Sequence, residues 1–579
     1  MRRAARLVAP LVLFLAFYWP GLTIYFYQDD FGWLNLRHEV ETWRDLGPAL
    51  FAPKAHGNLR PWSENGFFLL LPALFGADPL PFRIVVFLTQ CGNLLLLGAI
   101  VRRLTGSATA ALWTQALWIA NSCLAVAACW TSIYNQFQYV FFILLAFWFL
   151  LNRRYKAQWI AFLLGFGSLE VNVMYPALAA VYAWLFDRRE LRGTLPLFAA
   201  SGAYAALHFW AAPAPASGPY ALHFDAGLLS TGWSYWKLAL GPERLAHMVP
   251  LPAAAVLAAT LVLTVPALGF ALRDKTARLG LAWFLTLLAP LLPLRDHVTD
   301  YYVTGPAIGL ALLGGWAASR WRLAWLPVGL YLAASIPAAW SVTRWHHQRA
   351  RAVEDLVLGV AEVRRRQPGK VILLSGVNTD LFFSGIVDVP FRALEIPHVY
   401  LAPGSGPAIQ AAPDLVGKFI LPEGLARQKL MEGGAVVYAV SESVLRNVTS
   451  RYRALAEANW QPGPPRMVNP GDPIYVTRLG TGWQEARNGY RTMSRLATLR
   501  IGGPRTSAER LFVGAFAPAP LDLTVRADGI LLGTARLQSA DGLSERGFAL
   551  PAGRVGTEEI DVTLEASQPG LRFGFLEVR

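Results

Sequence analysis

PFRIVVFLTQCGNLLLLGAIVRR, from Pro81 to Arg103, is a predominantly apolar run closed by two arginines. Its apolar part has the length of about twenty residues that a helix needs to cross a bilayer. The basic pair marks its end as cytoplasmic, because Lys and Arg accumulate on that side of membrane helices. The pattern recurs. Basic clusters at Arg102-Arg103, Arg153 to Lys156, Arg188-Arg189, Arg273 to Arg278 and Arg320 to Arg322 fall where every second crossing should return to the cytoplasm. Between them, spans are predicted at Pro81 to Val101, Ala108 to Cys129, Tyr134 to Leu151, Ala157 to Leu169, Val171 to Phe186, Thr194 to Ala212, Val249 to Leu272, Leu279 to Leu294, Tyr301 to Ala318 and Leu323 to Trp340. The stretch from Ala157 to Phe186 has basic clusters at both ends and is long for one crossing, so it reads as two short helices turning near Glu170.

Composition agrees with a multi-spanning membrane protein. The 579 residues are 54% hydrophobic and only 16% charged, with a mean hydropathy of +0.36, too apolar for an ordinary soluble enzyme. The net charge of +14 sits in short clusters between apolar runs rather than along one face, which argues for topology and against nucleic acid. Cys91, Cys123 and Cys129 all lie in apolar stretches, so neither a disulfide framework nor a thiolate metal site is expected. Met1 to Arg6 is basic and Leu7 to Phe26 apolar, with no small-x-small cleavage pattern after it. We read it as a retained first helix starting in the cytoplasm. That makes about eleven transmembrane helices in residues 1–340. The odd number puts the chain after Trp340 outside, for a bacterium on the exoplasmic face of the inner membrane.

The outer region has two textures. In residues 341–490, short apolar runs such as KVILLSGV, HVYLAPG, KFILPEG, GAVVYAV and PIYVTRL between helical or loop segments suggest a small α/β domain. In 491–579 the pattern alternates: Asp528-Gly529 reads as a hairpin turn, and Leu571, Phe573 and Phe575 share one face, as in a β-sandwich. Such a module often binds carbohydrate or packs on its neighbour. The sequence leaves both open.

Directly after the first helix stands YFYQDDFGWLNL, from Tyr25 to Leu36. If that helix runs to Phe26, Asp29 and Asp30 face the negative end of its dipole, at a cost of about 0.3 to 1 kcal/mol each. One of them, Asp30, is expected to cap an interfacial helix with Trp33, Leu36, Val40 and Trp43 as its apolar stripe. The other is then free at the outer surface to take a proton or meet a cation.

Here the chain resembles a family, the GT-C superfamily of membrane glycosyltransferases that use polyprenyl-phosphate sugars, in its protein O-mannosyltransferase and aminoarabinose-transferase branch. The matching stretches are the acidic pair Asp29-Asp30, LRPWSENGFFLLLPALFGADPLPFRIVVFLTQCGNLLLLGAIVRRL, GSLEVNVMYPAL and DHVTDYYVTGPAIGLALL, and they cover the chain from Met1 to Trp340. The resemblance implies transfer of a sugar from a polyprenyl-phosphate donor to a glycan, glycolipid or protein acceptor, with the acidic pair catalytic: the first residue, Asp29, as the base and Asp30 supporting it. Inverting transfer needs cations for the departing phosphate. Arg60, Arg83, Arg295 and His297, on the outer side against the topological bias, are the candidates, each alternatively a headgroup-facing residue or a partner of Asp296 or Asp300. Tyr301 and Tyr302 could orient phosphate or sugar, or be interface aromatics. Glu170, in an otherwise uncharged run, either orients an arginine of the site or holds the turn.

Some GT-C enzymes bind a divalent metal with a further acidic residue in the outer loop between helices three and four; AACWTSIYNQFQYV has none, so no metal ligand is assigned and the sequence leaves dependence on a divalent metal open. GSGPA at Gly404 lacks the context of a dinucleotide loop, and His346-His347 reads as a juxtamembrane helix. Two other classes compete with the transferase. A lipid-linked sugar transporter would show paired halves with broken helices. A membrane-anchored glycan-binding scaffold would need the outer domains but not the acidic pair.

Overall fold

The structure is a computed structural model. It describes residues 2–54, 57–441, 444–458, 464–487, 490–517, 519–538 and 543–579. The chain forms two compact units, residues 1–357 with 380–395, and residues 358–379 with 396–579.

The first unit is helical. Among its described residues the segments Arg6–Thr23, Pro79–Thr105, Thr131–Leu151 and Ala253–Arg273 are long and apolar enough to cross a membrane, as is Arg322–Arg366, which begins in this unit. The helices Ala108–Ala120 and Cys123–Cys129 make a further span if taken together, bent by 72°. Asn121 causes the bend locally. Its carboxamide oxygen accepts the Cys123 N–H at 3.0 Å, and its amide donates to the Ala239 carbonyl and the Tyr331 hydroxyl, so the chain turns where a helix would continue. Leu195, Leu257, Leu272 and Leu323 stand exposed on helix or helix-end surfaces. That is how a membrane helix meets hydrocarbon as its solvent. The helices Lys275–Leu288 and Ala307–Arg320 approach closely at Gly280 and Gly309, where an added Cβ on Gly280 would lie 2.5 Å from the Gly309 carbonyl oxygen. The stretch read as two short helices forms Tyr155–Gly165 and Tyr175–Phe186, joined through a 3-10 turn at Glu170–Met174.

Three expectations near the outer end of the first helix change. The helix Arg2–Tyr18 passes into a 3-10 segment at Trp19–Thr23, and Asp29 and Asp30 open a new helix, Asp29–Leu34. They therefore sit at a positive rather than a negative dipole end, and the expected repulsion is replaced by a mild attraction. Asp30 is not the cap: the N-cap position belongs to Gln28, at φ 56°, whose N–H donates to the Ser384 carbonyl at 2.6 Å. The interfacial stripe does not form one helix either. The α-helix gives way to a 3-10 turn at Asn35–Glu39, Leu36 is buried, and Trp43 belongs to a separate turn. The last membrane helix, expected to end at Trp340, continues as one helix from Trp325 to Arg366. The added part holds six arginines and three alanines, all good helix formers, and no proline, so helix propensity persists after hydropathy falls.

The second unit carries the strands. Val371–Ser375 pairs in parallel with Val399–Leu401 on one side and Ala435–Ser441 on the other, and Val444–Asn447 adds an antiparallel edge. PIYVTRL, expected as a strand, is a 3-10 segment at Pro473–Arg478. Two antiparallel sheets come next in the chain. The hairpin Leu521–Ala527 to Ile530–Leu537 turns at Asp528 and Gly529 with φ of 48° and 78°, the positive pair a tight two-residue turn requires. Leu571 and Phe573 point inward, but the register shifts between Phe573 and Phe575, and Leu576 and Val578 take over the buried face. The extra residue of a bulge reverses the alternation, so Phe575 leaves the shared face. One apolar core joins the parallel sheet to both antiparallel sheets, with Leu373 and Val437 in the same cluster as Val468, Leu499 and Leu564.

Candidate active site

A cavity of about 450 Å³ opens in the helical unit beside the helix Asp29–Leu34, a volume in the range of small-molecule sites. Asp29, Arg60, Tyr301 and Tyr302, all expected in the site, line it. So do Lys54, Glu64, Ser132, Tyr220 and Asp388, which residue type and topology did not single out.

The two aspartates part company. Asp29 is exposed to the cavity. Burial by the surrounding walls pushes its carboxyl above the ordinary value, and its own backbone N–H draws it partly back. Asp30 is 0% exposed. One of its oxygens accepts both the N–H and the hydroxyl of Ser132, and the other accepts the Tyr27 N–H at 3.2 Å. Burial pushes Asp30 up to about 7, against the opposing pull of Ser132, Tyr27 and Arg83. Asp30 thus ties the new helix to the turn Thr131–Ile133 and has no access to the cavity.

Arg60 is held from two sides. Its Nε and Nη2 meet the carboxylate of Glu170 at 2.9 to 3.1 Å, and Nη1 meets Glu64 at 2.5 Å. A guanidinium has five N–H donors in a fixed fork. Among the described residues three are engaged, which leaves one N–H on each terminal nitrogen of this cavity-lining side chain. Glu170 therefore meets an arginine that lines the cavity, and it also opens the 3-10 turn Glu170–Met174. Burial raises its proton affinity, but Arg60 outweighs burial and holds the carboxyl below its ordinary value. Glu64 is fixed by Arg60 and by the Asn135 amide at 2.8 Å, yet burial keeps its carboxyl above the ordinary value. Lys54 adds a second cation, tethered to Glu39 at 2.6 Å.

The other expected phosphate residues are placed elsewhere. Arg83 is 0% exposed; its guanidinium donates to the Gly21 carbonyl at 2.7 Å, to Thr131 Oγ1 at 3.2 Å and to the Ala128 carbonyl. Two of these acceptors are carbonyls, one in the 3-10 segment Trp19–Thr23 and one near the end of the helix Cys123–Cys129, and the third is a hydroxyl, a set that a planar fork of donors satisfies. Arg295 pairs with Asp225 at 2.6 Å on an exposed surface and does not line the cavity. His297 sits behind the lining: its Nε2 is 3.4 Å from the Tyr301 hydroxyl, and its ring packs 4.5 Å from Tyr220 and 5.8 Å from Tyr302. With Trp130, 6.4 Å from Tyr301, these rings form an aromatic wall. Of the four expected cations, Arg60 is the one the cavity receives. Among the described residues no three His, Cys, Asp or Glu side chains gather as a metal site.

The arrangement is an accessible carboxylate with a raised proton affinity, two cations and an aromatic wall around one space. It can hold an anionic group at Arg60 and Lys54, stack a sugar ring on tyrosines, and take a proton at Asp29.

No family model and no curated protein matches the chain. Among solved structures, it is similar to ArnT from Cupriavidus metallidurans bound to undecaprenyl phosphate, over 78% of this chain and 94% of that one, at 13% identity and a TM-score of 0.42. The apo state of the same protein aligns over 81% and 96%, again at 13% identity and a TM-score of 0.42. The arabinofuranosyltransferase AftD from Mycobacteria aligns over 100% of this chain and 61% of that one, at 14% identity and a TM-score of 0.36. Identities this low carry no residue role from one chain to another.

Proposed function

We propose that the chain is a GT-C-type membrane glycosyltransferase that moves a sugar from a polyprenyl-phosphate donor to an acceptor hydroxyl, with inversion at the anomeric carbon. The observation that carries this reading is the convergence of Asp29, Arg60 and Lys54 on one cavity from separate local elements. In the proposed step Asp29 removes the acceptor proton as the acceptor oxygen bonds to the anomeric carbon. The bond from that carbon to the phosphate oxygen breaks, and the electron pair leaves on the polyprenyl phosphate, whose charge meets the free donors of Arg60 and Lys54. Tyr220, Tyr301 and Tyr302 orient the sugar. Glu170 and Glu64 set the plane of Arg60.

The reading includes eleven crossings of the bacterial inner membrane, a cytoplasmic Met1 and an exoplasmic Arg579, supported by the recurrence of basic clusters. Reporter fusions at Arg102, Lys156, Arg188, Lys275 and Arg322 should report cytoplasm, and fusions after the helix ending at Arg366 the exterior. The decisive experiment supplies purified chain in nanodiscs with a panel of synthetic polyprenyl-phosphate sugars and follows release of polyprenyl phosphate. Release that depends on Asp29, with a product of inverted anomeric configuration by NMR, supports the reading. Translocation of an intact lipid-linked sugar without release would favour the transporter.

A further inference from the structure

Asp388 reaches the cavity from a segment 359 positions beyond Asp29, by subtraction of the two residue numbers. The segment from Asp380 to Glu395 leaves the strand-bearing unit and packs with the helical one. Its seat on the helix Asp29–Leu34 is fixed at several points. Gln28 N–H donates to the Ser384 carbonyl, and the Asn35 amide donates to the carbonyls of both Asp388 and Val389 at 3.3 Å. Arg37 donates to the Ala393 carbonyl at 2.8 Å and pairs with Glu395 at 3.0 Å.

Two local features aim the carboxylate. Val389, the next residue, has φ 48° and ψ 57°. A β-branched residue in the left-handed region is a strained conformation, of a kind that persists where surrounding contacts dictate it. On the helix, Gly32 lies three residues after Asp29 and so on the same face. An added Cβ there would be 3.5 Å from an oxygen of Asp388, which places that carboxylate over the glycine one turn from Asp29. Among the described residues the Asp388 carboxylate has no hydrogen bond or ion pair.

We propose that Asp388 is a positioning residue for the reaction, the second carboxylate of a facing pair, acting through Asp29. The proposal rests on Asp29 as the base. Two carboxylates facing one space repel when both are ionised, and the repulsion is relieved when either takes a proton. An ionised Asp388 therefore raises the basicity of Asp29 and favours the moment at which Asp29 receives the acceptor proton. Burial, with the Asp29 charge second, pushes Asp388 up to about 6, so the pair takes its first proton above the ordinary aspartate range. The other charged and titratable groups around this space are Lys54, Arg60, Glu64, Tyr220, Tyr301 and Tyr302. Lys54 is tethered to Glu39, and Arg60 and Glu64 to each other. Asp30 faces Ser132 instead.

The test titrates the full chain in nanodiscs with carboxyl-labelled aspartate, by NMR or infrared difference spectroscopy, in wild type, D388N, D388E and D29N. D388N should abolish one raised transition and lower that of Asp29 by about one pH unit, a tenfold change in proton affinity. D388E should restore both, and D29N should lower the Asp388 transition reciprocally. The acid limb of kcat/KM should move down in D388N with the Asp29 transition. An Asp29 transition unmoved in D388N, or an Asp388 transition unmoved in D29N, overturns the pair and leaves the transferase reading standing. Coupled titrations in a chain that transfers no sugar would do the reverse. If D388N does not fold, the D29N arm decides.

Discussion

Exchanging each aspartate of the pair for asparagine tests whether one builds the site and the other works in it. In Asp30→Asn the carboxamide oxygen can still accept the N–H and hydroxyl of Ser132, which meet one oxygen of the native carboxylate. The amide nitrogen then falls where the other oxygen accepts the Tyr27 N–H at 3.2 Å, so two donors face each other. One charge-assisted hydrogen bond is lost, about 1.5 to 3 kcal/mol, and partly offset because the buried carboxyl no longer has to ionise. The net destabilisation should be about 1 to 3 kcal/mol, visible as a fall of a few degrees in the melting temperature in detergent. It should also change with pH. Burial raises Asp30 to about 7, above the ordinary value near 4, so the folded state binds this proton more tightly. The stability Asp30 contributes is fully present below about pH 4 and is lost as pH rises through about 7. Asp30→Asn should flatten that slope. Asp29→Asn removes an exposed carboxylate, so stability should shift by less than about 0.5 kcal/mol, while transfer falls by roughly two to four orders of magnitude. Melting curves at pH 5 and 8, with transfer rates on the same preparations, decide it. A large melting shift in Asp29→Asn with none in Asp30→Asn would refute the assignment.

Transfer should lose activity on acidification above the ordinary aspartate range, because Asp29 must be ionised to accept a proton and its surroundings raise its value; a kcat/KM acid limb near pH 4 would contradict this. Glu170→Gln removes the anion that meets Nε and Nη2 of Arg60, so donor KM should rise; a change confined to stability would instead assign Glu170 to the turn. Gly309→Ala brings a Cβ against the Gly280 carbonyl and 2.7 Å from Phe284 N, and should cost about 1 to 3 kcal/mol as an overpacked contact, read as a lower melting temperature.

The apolar skeleton was legible because length and hydropathy act locally. Tyr134–Leu151 has the bounds expected of it. Ala108 and Cys129 bound the bent pair as expected, but Asn121 interrupts the helix inside a run that is apolar on both sides, and the end expected at Trp340 moved because helix propensity outlasts hydropathy there. At the site, Asp29, Arg60, Tyr301 and Tyr302 could be picked from residue type and topology. Asp388 could not, since it lies in a stretch that reads as part of the outer domain and returns through tertiary packing. Glu64 stands in the stretch LRPWSENGFF but looks like any outer-loop carboxylate until Arg60 and Asn135 meet it.

Arg60 and Arg83 look alike in sequence, both outer arginines, and their surroundings give them different work. Arg60 is gripped by carboxylates and retains donors toward the cavity. Arg83 meets two carbonyls and a hydroxyl, on Gly21, Ala128 and Thr131, and so bridges the segment Trp19–Thr23 to the end of the helix Cys123–Cys129 and the turn that follows it. Lysine has one ammonium on a flexible stem and cannot span three acceptors set for a planar fork. Arg83→Lys should therefore leave at least one of them unpaired, at about 1 to 3 kcal/mol each, and lower the melting temperature while donor KM in the folded fraction stays unchanged. Arg60→Lys should do the opposite. A melting temperature unchanged in Arg83→Lys together with a raised donor KM would return Arg83 to the phosphate. Thr131 and Ser132 are adjacent, so Arg83 grips the turn Thr131–Ile133 through one residue while Asp30 grips it through the next. The same turn leads into Ser132, Ile133, Asn135 and Gln136 of the cavity wall. Asp30 and Arg83 thus hold one wall of the cavity that Asp29 and Arg60 line, so Arg83→Lys combined with Asp30→Asn should cost more or less than the sum of the two alone, as contacts sharing one element do.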